Sequence, residues 1–442
     1  MCGRLGWGLR RWLRRGEAAA ARESPVAARG GRAAVPAPGP RLTLAEERRN
    51  LLVLWLGCFL TSASWSLVLP FMPILLAHLG VRPAHLATWT GIVFAAAFAT
   101  AIFFSPLWGA WADAVGRKVN LLRSGITITV VLVGMANAGA PWLVLIWRLL
   151  NGAFSGFIPA AYSLVAATTP GHRLGRSLGA LQTGPAAGAI LGPLIGGALV
   201  QVVGIRSTFY LSAAAQAVAT ALVLALVREP DPPRRGMRLD LFAGLGQAFA
   251  NRPLRAVLGA TVILQLALTL IEPLITIYVG QFHGVTAVPF MAGLLFSLVG
   301  VAAVVCSPLW GRFGERVGYK RIALLGLGGA AIGNAAQLLC RTLLTFGAVR
   351  LATGVAYAGA NAGLGTLAAI SVPESFRGRA YGLLTSSQQL GNLFGPLLGG
   401  FWGDSLGIHS AFGLASIGFV GALAVLALGA LGWREPEPAG VR

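Results

Sequence analysis

Charge is scarce in this 442-residue chain: 11% of its residues are charged, against roughly 25% in soluble domains. Acidic residues number only 14, histidines 5 and cysteines 4, while 56% of the chain is hydrophobic and the mean hydropathy is +0.72. No water-soluble fold hides that much apolar surface, so the solvent is a bilayer. The histidines, at 78, 85, 172, 283 and 409, are scattered, and Cys2, Cys58, Cys306 and Cys340 lack the spacing of metal ligands. No HExxH, no adjacent nucleophile and base, and no G-x-x-x-x-G-K-[ST] loop occurs. These absences argue against a metalloenzyme, a hydrolase and an ATP-driven pump. No metal and no cofactor are expected, and the cysteines read as small packing residues.

What the chain has instead is a succession of apolar runs. A spanning helix needs about 20 apolar residues, and such runs fit at about 51–77, 87–111, 119–138, 142–169, 177–203 and 206–227, then at about 254–281, 288–312, 320–340, 343–371, 379–403 and 409–432. The expected fold is an all-α membrane protein of twelve transmembrane helices. The 60 Gly and 24 Pro sit largely inside the runs, where small residues let helices approach closely.

A formal charge of +21 first suggests nucleic acid, but its distribution says otherwise. Lys and Arg gather in the tails and in the loops after spans 2, 4, 6, 8 and 10. Arg148 and Arg350 lie within spans, and only Arg82, Arg206 and Arg341 lie at the opposite ends. This is the positive-inside asymmetry, so both termini are expected in the cytoplasm of an inner-membrane protein and no nucleic-acid partner is required. Residues 1–49 hold eleven Arg and no long apolar run of the kind a secretory signal requires, so they are expected to form a flexible basic cytoplasmic tail. A short helix lying on anionic lipid through Trp7, Trp12 and Leu13 is the alternative.

The chain is written twice, at an offset of 202 to 203 residues. Ser105-Pro-Leu-Trp-Gly109 recurs as Ser307-Pro-Leu-Trp-Gly311, Arg148 and Gly152 as Arg350 and Gly354, Gly192-Pro193-Leu-Ile-Gly196-Gly197 as Gly395-Pro396-Leu-Leu-Gly399-Gly400, and Pro70 as Pro273. The domains expected are a six-helix bundle at 50–227, a cytoplasmic linker at 228–253, a second bundle at 254–433 and a tail at 434–442. Six is even, so both copies insert the same way up. Transporters built this way bind substrate near the midplane, between halves that rock against each other.

The loop Gly109-Ala-Trp-Ala-Asp113-Ala-Val-Gly116-Arg117-Lys118 resembles the signature loop between spans 2 and 3 of the major facilitator superfamily, and the resemblance extends over about 50–433. Gly184, Gly188, Gly192, Pro193, Gly196 and Gly197 on span 5 resemble the glycine-proline motif of the drug:proton antiporters, and Arg148 with Gly152 and Gly156 resembles their arginine motif. The stretches 54–61, 69–73 and 89–94 are similar to MdtG-type multidrug exporters. The resemblance implies a monomeric carrier in the lipid bilayer that exports small hydrophobic or cationic compounds, driven by a proton gradient. A sugar or metabolite facilitator of the same fold is the rival.

In that family the signature loop latches the cytoplasmic side, with Asp113 binding the positive end of span 11 near Arg379; an ordinary ion pair with Arg117 is the plainer reading. Gly311, Glu315 and Gly318 repeat the loop, but Ala114 and Tyr319 stand where basic residues are usual. The span 5 glycines recur every four residues and form a smooth groove. Family precedent puts the partner of that groove across the interface between halves, and packing within one half is the alternative. Spans 1, 4, 7 and 10, with 5, 8 and 11, are expected to line the site, which offers Trp65, Phe71, Tyr162, Tyr278 and Tyr357 with the polar Gln182, Asn361, Gln388 and Asn392. An apolar, aromatic wall with few polar anchors suits varied amphipathic ligands better than a sugar.

Glu272 is the only acidic residue deep within a span. A charge there costs at least about 2.5 to 3.5 kcal/mol on insertion scales, so such acids normally serve a proton or ligand pathway. By helix rise it lies at about the depth of Arg148 and Arg350. The expected role is alternation between a proton and an Arg or a cationic substrate; a permanent Glu–Arg bridge is the structural alternative.

Overall fold

The computed structural model describes residues 42–230, 250–431 and 433, and the regular structure among them is helical, with no strand. Backbone polar groups in hydrocarbon must be satisfied within their own segment, which leaves the helix as the element an apolar run can form. Twelve helical rods follow one another among the described residues. The first half comprises α1 Leu44–His78, α2 Pro83–Val115, α3 Arg117–Ala136, α4 Pro141–Thr168, α5 Gly171–Val203 and α6 Ile205–Leu226. The second comprises α7 Arg252–Val279, α8 Val288–Val317, α9 Tyr319–Gln337, α10 Leu343–Ile370, α11 Arg377–Leu406 and α12 Ile408–Gly429.

Ten of the rods are long and apolar enough to cross a membrane by length and composition. The exceptions, α9 and α11, open on Tyr319-Lys-Arg321 and Arg377-Gly-Arg379 and carry several Gly, Asn and Gln. Both are held among apolar neighbours, α9 against α10 and α12, and α11 against α7 and α2.

The rods are interrupted where the sequence dictates it. A 3₁₀ turn bends α1 at Leu69–Phe71 and α7 at Glu272–Leu274, at the repeated Pro70 and Pro273, because proline has no N–H for the helical ladder. A break at Ser155-Gly156 divides α4, with Gly156 at φ +134°, a region that strongly favours glycine; α10 is continuous. The first helix starts at Leu44, ahead of the span expected from 51, because Thr43 and Glu46 form a capping box. Of the linker expected at 228–253, residues 231–249 lie outside the described residues, as do most of the expected tails.

One buried apolar cluster joins both halves, combining Phe71, Met72 and Leu75 of α1 with Leu274 and Ile275 of α7, Phe346 of α10 and Phe412 of α12. A second, around Leu264, Leu327 and Phe419, lies wholly in the second half.

Candidate substrate cavity and gates

Contacts between the halves concentrate at one end of the bundle, the end where α1 meets α2. There Gly91 packs on the Pro396 carbonyl, Gly400 on Ala87 and Thr88, Gly197 on Pro289 and Phe290, and Gly293 on the Pro193 carbonyl. Thr276 Oγ1 donates to the Pro70 carbonyl at 2.6 Å, and Asp404 of α11 accepts from the backbone N–H groups of Ala87 and Thr88 at 3.1 and 2.7 Å. Toward the other end Gly109, Gly175, Gly179, Gly311, Gly378 and Gly382 have open space where a side chain would stand. The molecule is closed at one end and parted at the end that carries Leu44.

The glycine groove on α5 faces α1, within its own half. A Cβ at Gly184 would lie 2.7 Å from the Trp55 carbonyl and one at Gly188 2.5 Å from the Phe59 carbonyl, while Gly192 and Gly196 face Ser66 and Leu67. The partner across the interface that family precedent suggested is met by Ile190, Pro193 and Gly197, which sit beside the four-residue stripe. The stripe at Gly391, Gly395 and Gly399 likewise packs on Val262–Leu270 of α7. Backbones approach this closely only where no Cβ intervenes, so each half is built on one tight pair, α1 with α5 and α7 with α11.

Above the closed end lies a cavity of about 290 Å³ lined by Thr61, Trp65, Phe98, Arg148, Asn151 and, from the opposite half, Gln389, among others. Arg148 is buried. Its Nε and Nη2 donate to the carbonyls of Val93 and Phe94 at 3.0 and 3.3 Å, and its guanidinium lies 5.1 Å from the centroid of the Trp65 ring, within cation–π range. Of the other lining candidates, Phe71 and Tyr278 turn into the core instead. Tyr278 stacks among Phe282, Phe346, His409 and Phe412, and Phe71 has no exposed surface, because the bends at Pro70 and Pro273 turn these segments into the closed end. Tyr162 is half-buried against the core, Gln388 is half-buried, and Gln182 is exposed.

A polar chain joins α7, α10 and α11. Tyr357 donates its hydroxyl to Gln265 Oε1 at 3.3 Å, Gln265 Nε2 donates to Asn392 Oδ1 at 2.7 Å, and Asn392 Nδ2 donates to Gln389 Oε1 at 3.4 Å; Asn361 reaches the Tyr357 carbonyl at 3.5 Å. Gln265, its centre, escaped the sequence reading. The signal for it was present: Gln265 lies two helical turns before Glu272, on the same face.

Glu272 opens the 3₁₀ turn of α7, half-buried, with no hydrogen bond or ion pair among the described residues. Arg350 is the cation that acts on it electrostatically; Arg350 itself makes one long hydrogen bond, 3.5 Å to Gln337 Oε1, its guanidinium lies 5.9 Å from the centroid of the Phe346 ring, and its Nε has no hydrogen-bond partner. The bridge offered as the structural alternative is therefore not formed in this conformation, and Arg148 is committed to carbonyls of α2. A small cleft of Leu268, Ile271, Val299, Asn334, Arg350 and Tyr357 reaches the residue before Glu272.

At the parted end, Asp113 pairs with Arg117 at 3.1 Å and is largely exposed, touching nothing on α11. Gly116 and Gly318 hold φ of +125° and +96° at the turns into α3 and α9, which explains glycine at both copies. Glu229, also overlooked in the sequence, accepts from the backbone N–H groups of Arg117 and Lys118 at 2.9 and 2.8 Å and so caps α3. Lys118 Nζ donates to the Leu224 carbonyl at 2.9 Å, and Lys320 repeats this on Ala430 at 2.7 Å. Glu315 is exposed. The duplicated tryptophans tie neighbours in each half: Trp108 Nε1 donates to the Ala153 carbonyl at 2.6 Å and Trp310 Nε1 to Val355 at 2.8 Å. Arg123 stacks 3.6 Å over Trp108 and donates to Phe154 and Ser155 carbonyls freed by the break in α4.

Two duplicated six-helix bundles, sealed at one end and enclosing a cavity at mid-depth, define a membrane carrier, not an enzyme. The chain belongs to the Major Facilitator Superfamily, whose model matches residues 54–291 and 257–442. It is 34% identical over 385 residues to a multidrug resistance protein MdtG of Rahnella sp. (strain Y9602), covering 86% of this chain and 91% of the relative. To that of Klebsiella pneumoniae (strain 342) it is 35% identical over 368 residues, with 83% and 89% covered. The fold is similar to the crystal structure of the nucleoside transporter NupG, with a TM-score of 0.70 at 14% identity, covering 86% of this chain and 99% of that one.

Proposed function

We propose that this protein exports small amphipathic or cationic compounds across the cytoplasmic membrane in exchange for protons, as a monomer with both termini in the cytoplasm. The observation that carries this reading is the cavity around Trp65 and Arg148: apolar and aromatic for most of its wall, with contributions from both halves and few polar anchors. Such a wall binds varied apolar bodies without demanding a fixed hydrogen-bond pattern. Relatives named multidrug resistance proteins support the same class of substrate.

The residues then divide the work. Compound enters from the cytoplasmic end and lies against Trp65 and Phe98, near the Gln265 chain. Glu272, without a hydrogen-bond partner and within the field of Arg350, alternates between holding a proton and facing that arginine or a cationic substrate. Asp113 and its loop close the cytoplasmic end when the cavity turns outward. Expression in an efflux-deficient host followed by a toxicity panel tests the reading: tolerance should rise for several chemically unrelated amphipathic compounds. No shift for any of them would favour a metabolite facilitator.

A further inference from the structure

The closed end carries an acid that no sequence motif singled out. Asp404, near the C-terminal end of α11, presents both carboxylate oxygens to the first α-helical turn of α2, which begins at Leu86 after the 3₁₀ turn Pro83–His85, Oδ1 to the Ala87 N–H at 3.1 Å and Oδ2 to the Thr88 N–H at 2.7 Å. First-turn N–H groups have no partner inside their own helix, and the helix dipole adds positive potential there. A half-buried carboxylate on that spot makes two charge-assisted bonds across the interface between halves. The surroundings fit it closely. Thr88 Oγ1 donates to the Gly400 carbonyl at 3.4 Å, and a Cβ at Gly400 would stand 2.5 Å from the Ala87 carbonyl, so α2 and α11 can meet here only through glycine.

The duplication supplies an internal control. The interface related by the repeat, α5 with α8, has Gln201 in place of Asp404 and Pro289 in place of Ala87. Gln201 is exposed, carries no charge and makes no side-chain hydrogen bond among the described residues; Pro289 has no N–H to give. The α5–α8 contact is closed by glycine, apolar packing and one neutral bond, Ser297 Oγ to the Ile190 carbonyl at 2.6 Å, while of the two only the α2–α11 contact is pinned by charge. A contact that must break and re-form during each transport cycle needs a discrete, reversible bond more than it needs bulk packing.

We infer that Asp404 is a positioning residue for transport: a latch that holds the periplasmic end shut on the N-terminus of α2 and releases it when the carrier turns outward. The inference rests on the reading of the chain as an alternating-access carrier. It gives the pair α2 and α11 an acid at each end, Asp404 at the closed one and Asp113 at the parted one.

The test is a distance measured across the periplasmic end of the full chain in lipid nanodiscs. Native cysteines are replaced and spin labels placed through Gly139→Cys and Arg341→Cys, two exposed loop positions in opposite halves. Asp404→Ala should raise the ratio of long to short distances roughly tenfold, the effect of losing about one charge-assisted hydrogen bond. Asp404→Asn should raise it less, Asp404→Glu should restore much of the short distance, and Gln201→Ala should leave it unchanged. If Asp404→Ala does not insert, Asp404→Asn is read in its place. An unchanged ratio in the Asp404 variants, or an equal rise in Gln201→Ala, overturns the latch. Export is scored separately in vesicles: a parent protein that shows both distances but moves no compound refutes the exporter and leaves the latch standing.

Discussion

A guanidinium or carboxyl buried in a membrane protein must find partners, and the four inner ionisable or amide groups here find very different ones. Arg148 is satisfied by two α2 carbonyls and the Trp65 face, whereas Arg350 keeps an unpartnered Nε beside Glu272. Sequence placed the three charges at one depth, but depth along a helix says nothing about azimuth, so the division into one committed arginine and one available arginine was not legible. The acid was legible, because a lone Glu in an apolar run stands out; Gln265 was overlooked despite its spacing from Glu272, because an amide costs less to bury than a charge and blends with the glutamines of α11. At the gate, Asp113 is exposed and paired only with Arg117, leaving it available to bind α11 in another conformation. Asp113→Asn should lower the initial rate of export roughly tenfold, about one charge-assisted bond, with normal protein level, while the exposed Glu315→Gln should change it much less. Equal rates for both variants and the parent, measured in vesicles, would reduce the loop to a surface ion pair.

Among the elements, the repeat made the pairings readable in advance but not their partners. Glycines every four residues on α5 and α11 announce close packing, yet only the structure tells that their partners are α1 and α7 in the same half, with the cross-half contact passing to Ile190, Pro193 and Gly197 on the adjacent face. The stripes are therefore stabilising joints, and this has a measurable consequence. Gly188→Leu forces a side chain against the Phe59 carbonyl and the Ala63 N–H, an overpacking of about 1 to 3 kcal/mol or more, and should lower the unfolding temperature of the solubilised protein by several degrees. Gly179→Ala, on the same helix with nothing within 4 Å, should leave it unchanged or raise it slightly. Similar stability of the two variants would mean that α1 and α5 are not joined as described. Two of the aromatic candidates, Phe71 and Tyr278, lie away from the cavity for a related reason, while Trp65 lines it. The bends at Pro70 and Pro273 were foreseeable, but not that they would swing Phe71 and Tyr278 into the seal.

For the whole molecule, duplication and charge asymmetry were enough to predict a two-bundle carrier, while the state it occupies depends on contacts no sequence spells out. Thr276, Asp404 and glycines at the end away from Leu44 close that end, and nothing comparable joins the other among the described residues; on the proposed topology this is the conformation in which an exporter loads from the cytoplasm. The central claim is that this loading is exchanged for protons through Glu272. The direct measurement uses inside-out vesicles holding a preformed, acid-inside proton gradient, with uptake of a fluorescent amphipathic cation and gradient loss recorded together. The account predicts that adding the compound dissipates the gradient while the compound concentrates inside, and that Glu272→Gln, folded and still binding the compound, abolishes both. Compound-driven gradient loss and full concentrative uptake by the Gln variant would contradict it.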